Sequence, residues 1–290
     1  MRNISPPLTF GTKLGNLRYP RILLVFLLLL VLSAIWIYPF LWMVSASLKA
    51  PLEIFSGGLG LIPEMAKWEN YERAWIDADF SRYLLNTVIV AVSATLLVLF
   101  HCSLTGYVLG RYSFAGKKVF IGVLIGTLFV PAGYTIIPVL ELANRLHMLN
   151  SLWGMIIVLG GGGHTAAILL FTGYFNQLPK ELEEAAILDG ATFWQIYARI
   201  MLPLAKPALA TVTIMTFLST WNSFFVPLVF TFSRPELRTL SVGMQAFVGQ
   251  HETDWPGMAA GATISLIPVM LVFLLLQRYY IEGIAGAVKS

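Results

Sequence analysis

The sequence predicts an all-α polytopic membrane protein with six transmembrane helices and a cytoplasmic helix-turn-helix between spans 4 and 5. Three observations predict it. Of 290 residues, 57% are hydrophobic and only 12% are charged, with a mean hydropathy of +0.76. A soluble domain carries about 25% charged residues, so this chain lacks the polar surface to cover a water-borne particle. Six apolar runs are each long enough to cross a bilayer, which takes ~20 helical residues at about 1.5 Å rise. A long polar-bearing stretch, about 178–206, separates the fourth run from the fifth.

Residues 1–21 form a basic lead with Arg2, Lys13, Arg18, Arg21 and a Pro6-Pro7 pair. The first run, about 22–46, stays uncharged to Leu48. That is longer than a signal-peptide core and no small-x-small cleavage site ends it, so it reads as a retained span. An acid-rich loop follows at 49–82, then span 2 at about 84–109. The link from Arg111 to Lys118 carries no acid, and span 3 (about 119–140) is interrupted by Pro131 and Pro138. Span 4 covers about 152–175, span 5 about 208–231 and span 6 about 258–277, before a tail at 283–290.

Loop charge sets the orientation. With the N-terminus inside, the inner segments hold twelve of the nineteen Lys and Arg residues and the outer segments hold seven. Both termini and the 178–206 stretch are therefore expected in the cytoplasm. The net charge of +4 reflects this loop bias; no basic stretch interleaved with aromatics points to nucleic acid. The single cysteine, Cys102, excludes an intramolecular disulfide and a cysteine metal site, and reads as a packed hydrophobe. His101 and His164 are the clear ionisable groups inside the spans. Ion-coupled carriers keep carboxylates or bases there, so this chain is not expected to harvest an ion gradient. Gly116-Lys117 lacks the leading glycine and trailing Ser or Thr of a phosphate-binding loop. If ATP drives this protein, another polypeptide binds it. Gly106/Gly110, Gly122/Gly126 and Gly257/Gly261 have the four-residue spacing that lets helices approach closely, between subunits or within one bundle.

In the polar stretch, Pro179 can open a helix, and Glu181, Glu183 and Glu184 place negative charge at its positive start. Leu178, Leu182, Ala185 and Ala186 share a shallow face. Asp189-Gly190 ends the helix, with Gly190 as left-handed cap, and Thr192 caps a second short helix through Gln195 and Arg199. Such a hairpin suits a groove on a partner; its alternative is to rest on the lipid surface.

Glu184-Ala185-Ala186, Asp189-Gly190-Ala191 and Ile200-x-Leu202-Pro203, at this spacing, resemble the EAA signature of permease subunits of bacterial ABC importers. Ser45 to Lys49, Asn70-Tyr71, Asn86-Thr87, Trp221-Asn222, Asp254-Trp255 and Gln277-Arg278-Tyr279 extend the resemblance over 22–290. They point to the carbohydrate, maltose-transporter branch and its second, six-span permease subunit. Gly160–Gly163 followed by His164 departs from that pattern. The resemblance implies a transmembrane domain over 22–282 in which the hairpin is the coupling helix. It implies a second permease subunit, two copies of a cytoplasmic ATPase subunit and an extracytoplasmic substrate-binding protein as partners. ATP and Mg would sit on the ATPase subunits and no cofactor on this chain, in the bacterial plasma (inner) membrane. Glu184 would make a charged contact to the ATPase, Ala185 and Ala186 would provide fit, and Gly286 and Lys289 in the tail would reach the same subunit.

A sugar path needs hydrogen-bonding and aromatic groups in mid-span, and Trp221, Asn222, Phe225, Tyr134 and His164 supply them. The substrate stays open: an oligosaccharide, or glycerol phosphates, acidic (uronate) oligosaccharides or polyamines. A passive channel or intramembrane enzyme is the different-class alternative. No Gly-x-Ser-x-Gly elbow, His-Glu-x-x-His or paired intramembrane aspartate supports the enzyme.

Overall fold

The computed structural model describes residues 19–249 and 252–287, and every regular element among them is a helix. The chain runs through α1 (Tyr19–Ala46), α2 (Pro51–Ser56), α3 (Glu69–Glu72), α4 (Phe80–Arg111), α5 (Lys117–Thr127), α6 (Ile136–Arg145), α7 (Leu152–Gly161) and α8 (Thr165–Gln177). It continues through α9 (Glu181–Leu188), α10 (Phe193–Ile196), α11 (Leu202–Leu204), α12 (Lys206–Trp221), α13 (Phe225–Phe230), α14 (Leu240–Gly243) and α15 (Trp255–Ala287). Residues 1–18 of the expected basic lead and Lys289 lie outside the described residues, and the last three residues of the lead, 19–21, already belong to α1.

Three helical segments are long and apolar enough to cross a membrane: Ile22–Ala46, Phe80–Arg111 and Trp255–Arg278. Two bent pairs raise the number to five: α7 with α8, and Phe193–Leu204 with α12. The expected third span is not one helix. α5 stops at Thr127 and α6 starts at Ile136, with Pro131 in extended conformation between them. Pro138 interrupts nothing, because it falls in the first turn of α6, where no intrahelical N–H bond is needed. The expected fourth span bends by 50° between α7 and α8, at Gly162–His164. Gly163 takes φ +75°, which the α-helix does not allow. The fifth is interrupted after Trp221, and the sixth runs on as helix through Ala287, so Gly286 lies in a helix and not in a loose tail.

α4 is the axis of the bundle. In its most apolar 18-residue window 44% is buried, against 11% for α15 and 0% for α1. α7 and α8 pack against it, and glycines make the approach close. A Cβ on Gly160 would stand 2.9 Å from the Ala94 backbone, and one on Gly106 would stand 2.4 Å from the Phe171 Cβ. Gly261 admits the Phe80 ring in the same way, so two of the three glycine pairs serve packing inside this chain. Around Gly122 and Gly126 a Cβ would meet nothing, and no residue of α5 is buried.

The bundle has two distinct ends. At one, Asn70 Nδ2 donates to the carbonyls of Ser47 (2.8 Å) and Lys49 (3.0 Å), and Arg73 pairs with Asp254 at 3.0 Å. Asn86 Nδ2 reaches the carbonyls of Glu236 and Arg238 there, each at 2.9 Å. At the other end α4 and α8 finish side by side, and the chain turns through α9 to α11 before entering α12 with a 78° bend.

Candidate functional site: the hairpin and its footing

α9 begins after Pro179-Lys180 with three carboxylates in its first turn, where the helix dipole favours negative charge. It ends in a Schellman motif. The Ala191 N–H donates to the Ala186 carbonyl (2.9 Å) and the Gly190 N–H to that of Ile187 (3.0 Å), with Gly190 at φ +77°. The next helix opens with a capping box: Gln195 N–H donates to Thr192 Oγ1 (3.4 Å), and Thr192 N–H donates to Gln195 Oε1 (2.7 Å). Pro203 has no N–H for the Arg199 carbonyl, and the helix widens to π geometry over Tyr197–Met201 just before it.

The signature residues divide between two faces. Glu184, Ala185, Asp189, Gly190 and Pro203 are exposed. Ala186 is buried, and Ala191, Ile200 and Leu202 pack partly buried against the same core, which contains Ile196, Tyr197 and Met201. The two alanines expected to act together are thus separated: Ala185 faces out, while Ala186 fits the hairpin to its own bundle. The outer face adds Leu188, 88% exposed, with Ile187 and Trp194 beside it. An exposed cluster of this kind marks an interaction surface.

Beneath the hairpin lies a polar footing for which the sequence offered only the acid-free link at Arg111 and a Tyr107/Arg111 pair one turn apart. Arg111 Nε pairs with Glu183 Oε2, and the two side chains are 3% and 14% exposed. Tyr107 donates its hydroxyl to Glu183 Oε1 at 2.6 Å. Arg111 also donates to the carbonyls of Leu178 (2.7 Å), Phe175 (3.3 Å) and Pro179 (3.1 Å), capping the last turn of α8. Ser103 and Tyr197 share a 2.7 Å hydroxyl bond one turn further along α4.

The five residues expected along a sugar path do not converge. Trp221 is core, stacked on Phe217 with centroids 5.2 Å apart. Asn222 is exposed, but its amide is turned back to the Leu218 carbonyl at 2.9 Å. Phe225 and Tyr134 are exposed on α13 and on the turn Ala132–Thr135. His164 borders a cavity of about 240 Å³ between α8 and α12, together with Thr216 and Ser219. Its Nε2 donates to the Leu159 carbonyl at 3.0 Å, and His101 Nε2 donates to that of Gly160 at 2.9 Å. The two imidazoles thus satisfy carbonyls that the break at Gly162–His164 leaves without helical partners. Among the described residues, no group of three or more His, Cys, Asp or Glu side chains is placed to hold a metal ion.

The family model for binding-protein-dependent transport system inner membrane components matches residues 8–285. A diacetylchitobiose uptake system permease protein of Streptomyces coelicolor is 34% identical over 91% of this chain and 86% of its own length. An arabinooligosaccharides transport system permease protein of Bacillus subtilis is 29% identical over 91% and 94%. Among solved structures, a chain of a bacterial ABC transporter involved in the import of the acidic polysaccharide alginate superposes with a TM-score of 0.76. It is 25% identical and is covered in full, by 95% of this chain.

Proposed function

The chain belongs to the family of binding-protein-dependent transport system inner membrane components, and we propose that it moves an oligosaccharide into the cytoplasm as one permease subunit of an ATP-driven importer. It is a transport subunit and not an enzyme. One observation carries the reading: the hairpin presents Glu184, Ala185, Asp189 and Gly190 outward at one end of the bundle, while its other face is built into α4 and α8.

In this reading the chain crosses the membrane six times, α5 and α6 together making the third crossing, with both termini and the hairpin cytoplasmic. Two ATPase subunits bind ATP and Mg, one against this hairpin and one against that of a second permease subunit. An extracytoplasmic binding protein delivers sugar at the end where Arg73 meets Asp254. ATP-driven closure pushes the hairpins, and the bundles alternate between inward-open and outward-open states. Glu184 makes the charged contact with the ATPase, Ala185 allows close approach, and Gly286 and Lys289 extend towards the same subunit. His164 and the cavity beside it lie on the sugar's path. The named substrates of the relatives support an oligosaccharide. An acidic oligosaccharide is the second reading, favoured by the likeness to the alginate transporter chain.

The test is reconstitution with the cognate ATPase, partner permease and binding protein, followed by ATP-dependent uptake of labelled oligosaccharides. Gly190→Asp forces a side chain into the left-handed region, at about 1 kcal/mol of local strain or more, on the docking knuckle. It is expected to insert normally and to abolish uptake. Wild-type uptake by this variant would sink the docking assignment.

A further inference from the structure

Glu183 and Glu184 are adjacent, yet they face opposite ways. Glu184 is exposed on the outer face, whereas Glu183 is held under the hairpin by Arg111 and Tyr107. Ser103, Tyr107 and Arg111 stand four residues apart and so form one stripe down the cytoplasm-proximal half of α4. Together they hold both helices of the hairpin and the end of α8. Ser103 bonds Tyr197 on its second helix, Tyr107 bonds Glu183 on its first, and Arg111 bonds both Glu183 and the carbonyls that close α8. The Tyr107 ring lies 5.5 Å from each of the rings of Phe175, Phe193 and Tyr197, filling the space between the polar links. The peptide chain leads from the hairpin into α12 only through the 78° corner at Ala205, a poor route for a push.

We infer that the stroke delivered to the hairpin enters the membrane through α4, with Arg111 as the positioning residue that locks hairpin, α8 and α4 into one lever. The inference rests on the importer reading and adds to it the path of force. A guanidinium suits this place because its planar fork satisfies a carboxylate and several carbonyls at once, which an ammonium cannot do. Close approach at Gly106 and Gly110, where a Cβ would stand 2.4 Å from the Phe171 Cβ and 2.9 Å from the Thr172 carbonyl respectively, makes α4 and α8 move together.

The experiment uses the complete transporter in proteoliposomes, with Ser219→Cys beside the cavity on a Cys102→Ser background. The probe is a membrane-impermeant maleimide, and its labelling rate is compared between nucleotide-free and Mg-ATP/vanadate-trapped states. Arg111→Ala and Glu183→Gln are expected to co-purify with the ATPase and to hydrolyse ATP. The state-dependent change in labelling should shrink by about ten-fold, in line with pairwise couplings inside such networks. The swap Arg111→Glu/Glu183→Arg is expected to recover a large part of the change. Should the single variants not fold, Arg111→Lys and Tyr107→Phe, which keep charge and ring, carry the test with a partial loss. Labelling that switches as in wild type in these variants overturns the inference, and so does loss of ATPase co-purification in step with the switching, since the pair would then serve docking. Failure of the importer reading looks different: the wild-type chain itself would neither assemble with the ATPase nor respond to ATP.

Discussion

At the scale of single residues, the hairpin shows how one short motif addresses two surfaces. Ala185 and Ala186 are indistinguishable in a sequence, and only the phase of α9 against the core separates them. Ala186→Phe would force a ring into a closed space, costing about 1–3 kcal/mol, and should lower the yield and melting temperature of the purified subunit. Ala185→Phe should leave melting unchanged and instead weaken capture of the ATPase. Equal melting temperatures for the two variants would show that both alanines face outward. The Gly190 turn and the Thr192 cap were legible in the sequence because caps are written in local residue types. The Arg111–Glu183 pair was not, because the partners lie 72 residues apart and nothing local distinguishes Glu183 from its neighbours. The setting of Trp221 was hidden for a related reason: a mid-span aromatic reads alike in a sequence whether it is open to a cavity or, as here, buried and stacked on Phe217.

At the scale of elements, apolar length located the helices well but not their continuity. α1, α4 and α15 follow the apolar runs, and the helix continues through Pro39 in α1 and Pro268 in α15. The third run is split, and neither hydropathy nor proline count reveals which proline ends a helix. Pro131 stands outside one and Pro138 sits harmlessly in a first turn. The glycine pairs divide in a way that composition could not show. Gly106/Gly110 is filled by α8, while Gly122/Gly126 lies open on α5. Leucine at both Gly122 and Gly126 should therefore leave the isolated subunit folded but reduce its recovery with the second permease subunit. The same change at Gly106 and Gly110 should prevent folding, because backbone atoms stand where side chains would go. Native gel electrophoresis with a melting curve separates the two outcomes, and unchanged assembly of the α5 variant would remove that face from the interface.

At the scale of the whole molecule, the expected orientation rests on charge bias alone and has a direct check. Ile62 is 89% exposed in the loop beside Arg73, and Lys180 is exposed at the hairpin. In intact cells lacking other accessible thiols, Ile62→Cys should react with an impermeant maleimide, and Lys180→Cys should react only after permeabilisation. The reverse pattern would invert the molecule and remove the hairpin from any cytoplasmic ATPase. The all-helical class was readable because an apolar run of about 20 residues satisfies its own backbone in a bilayer only as a helix, whereas the number of spans was not, since the bent and broken runs give three to five. The residues of a substrate path were not, because an aromatic or amide group in an apolar run reads alike whether it lines a cavity, as His164 does, or packs in the core, as Trp221 does.

The bare surface of α1 also bears on how the protein is made. No part of its most apolar window is buried, and it packs against α15, which begins some 200 residues later. At ribosomal speeds of about 5–20 residues per second, the first span waits ~10–40 s for its neighbour to be synthesised. Its composition suits the wait. It is apolar nearly all round, with the Ser33 hydroxyl already bonded to the Leu29 carbonyl at 2.7 Å, and Pro39 leaves only the Ile35 carbonyl without its helical N–H. Biogenesis of this bundle thus begins with a segment able to stand alone and closes when the last segment returns to meet it.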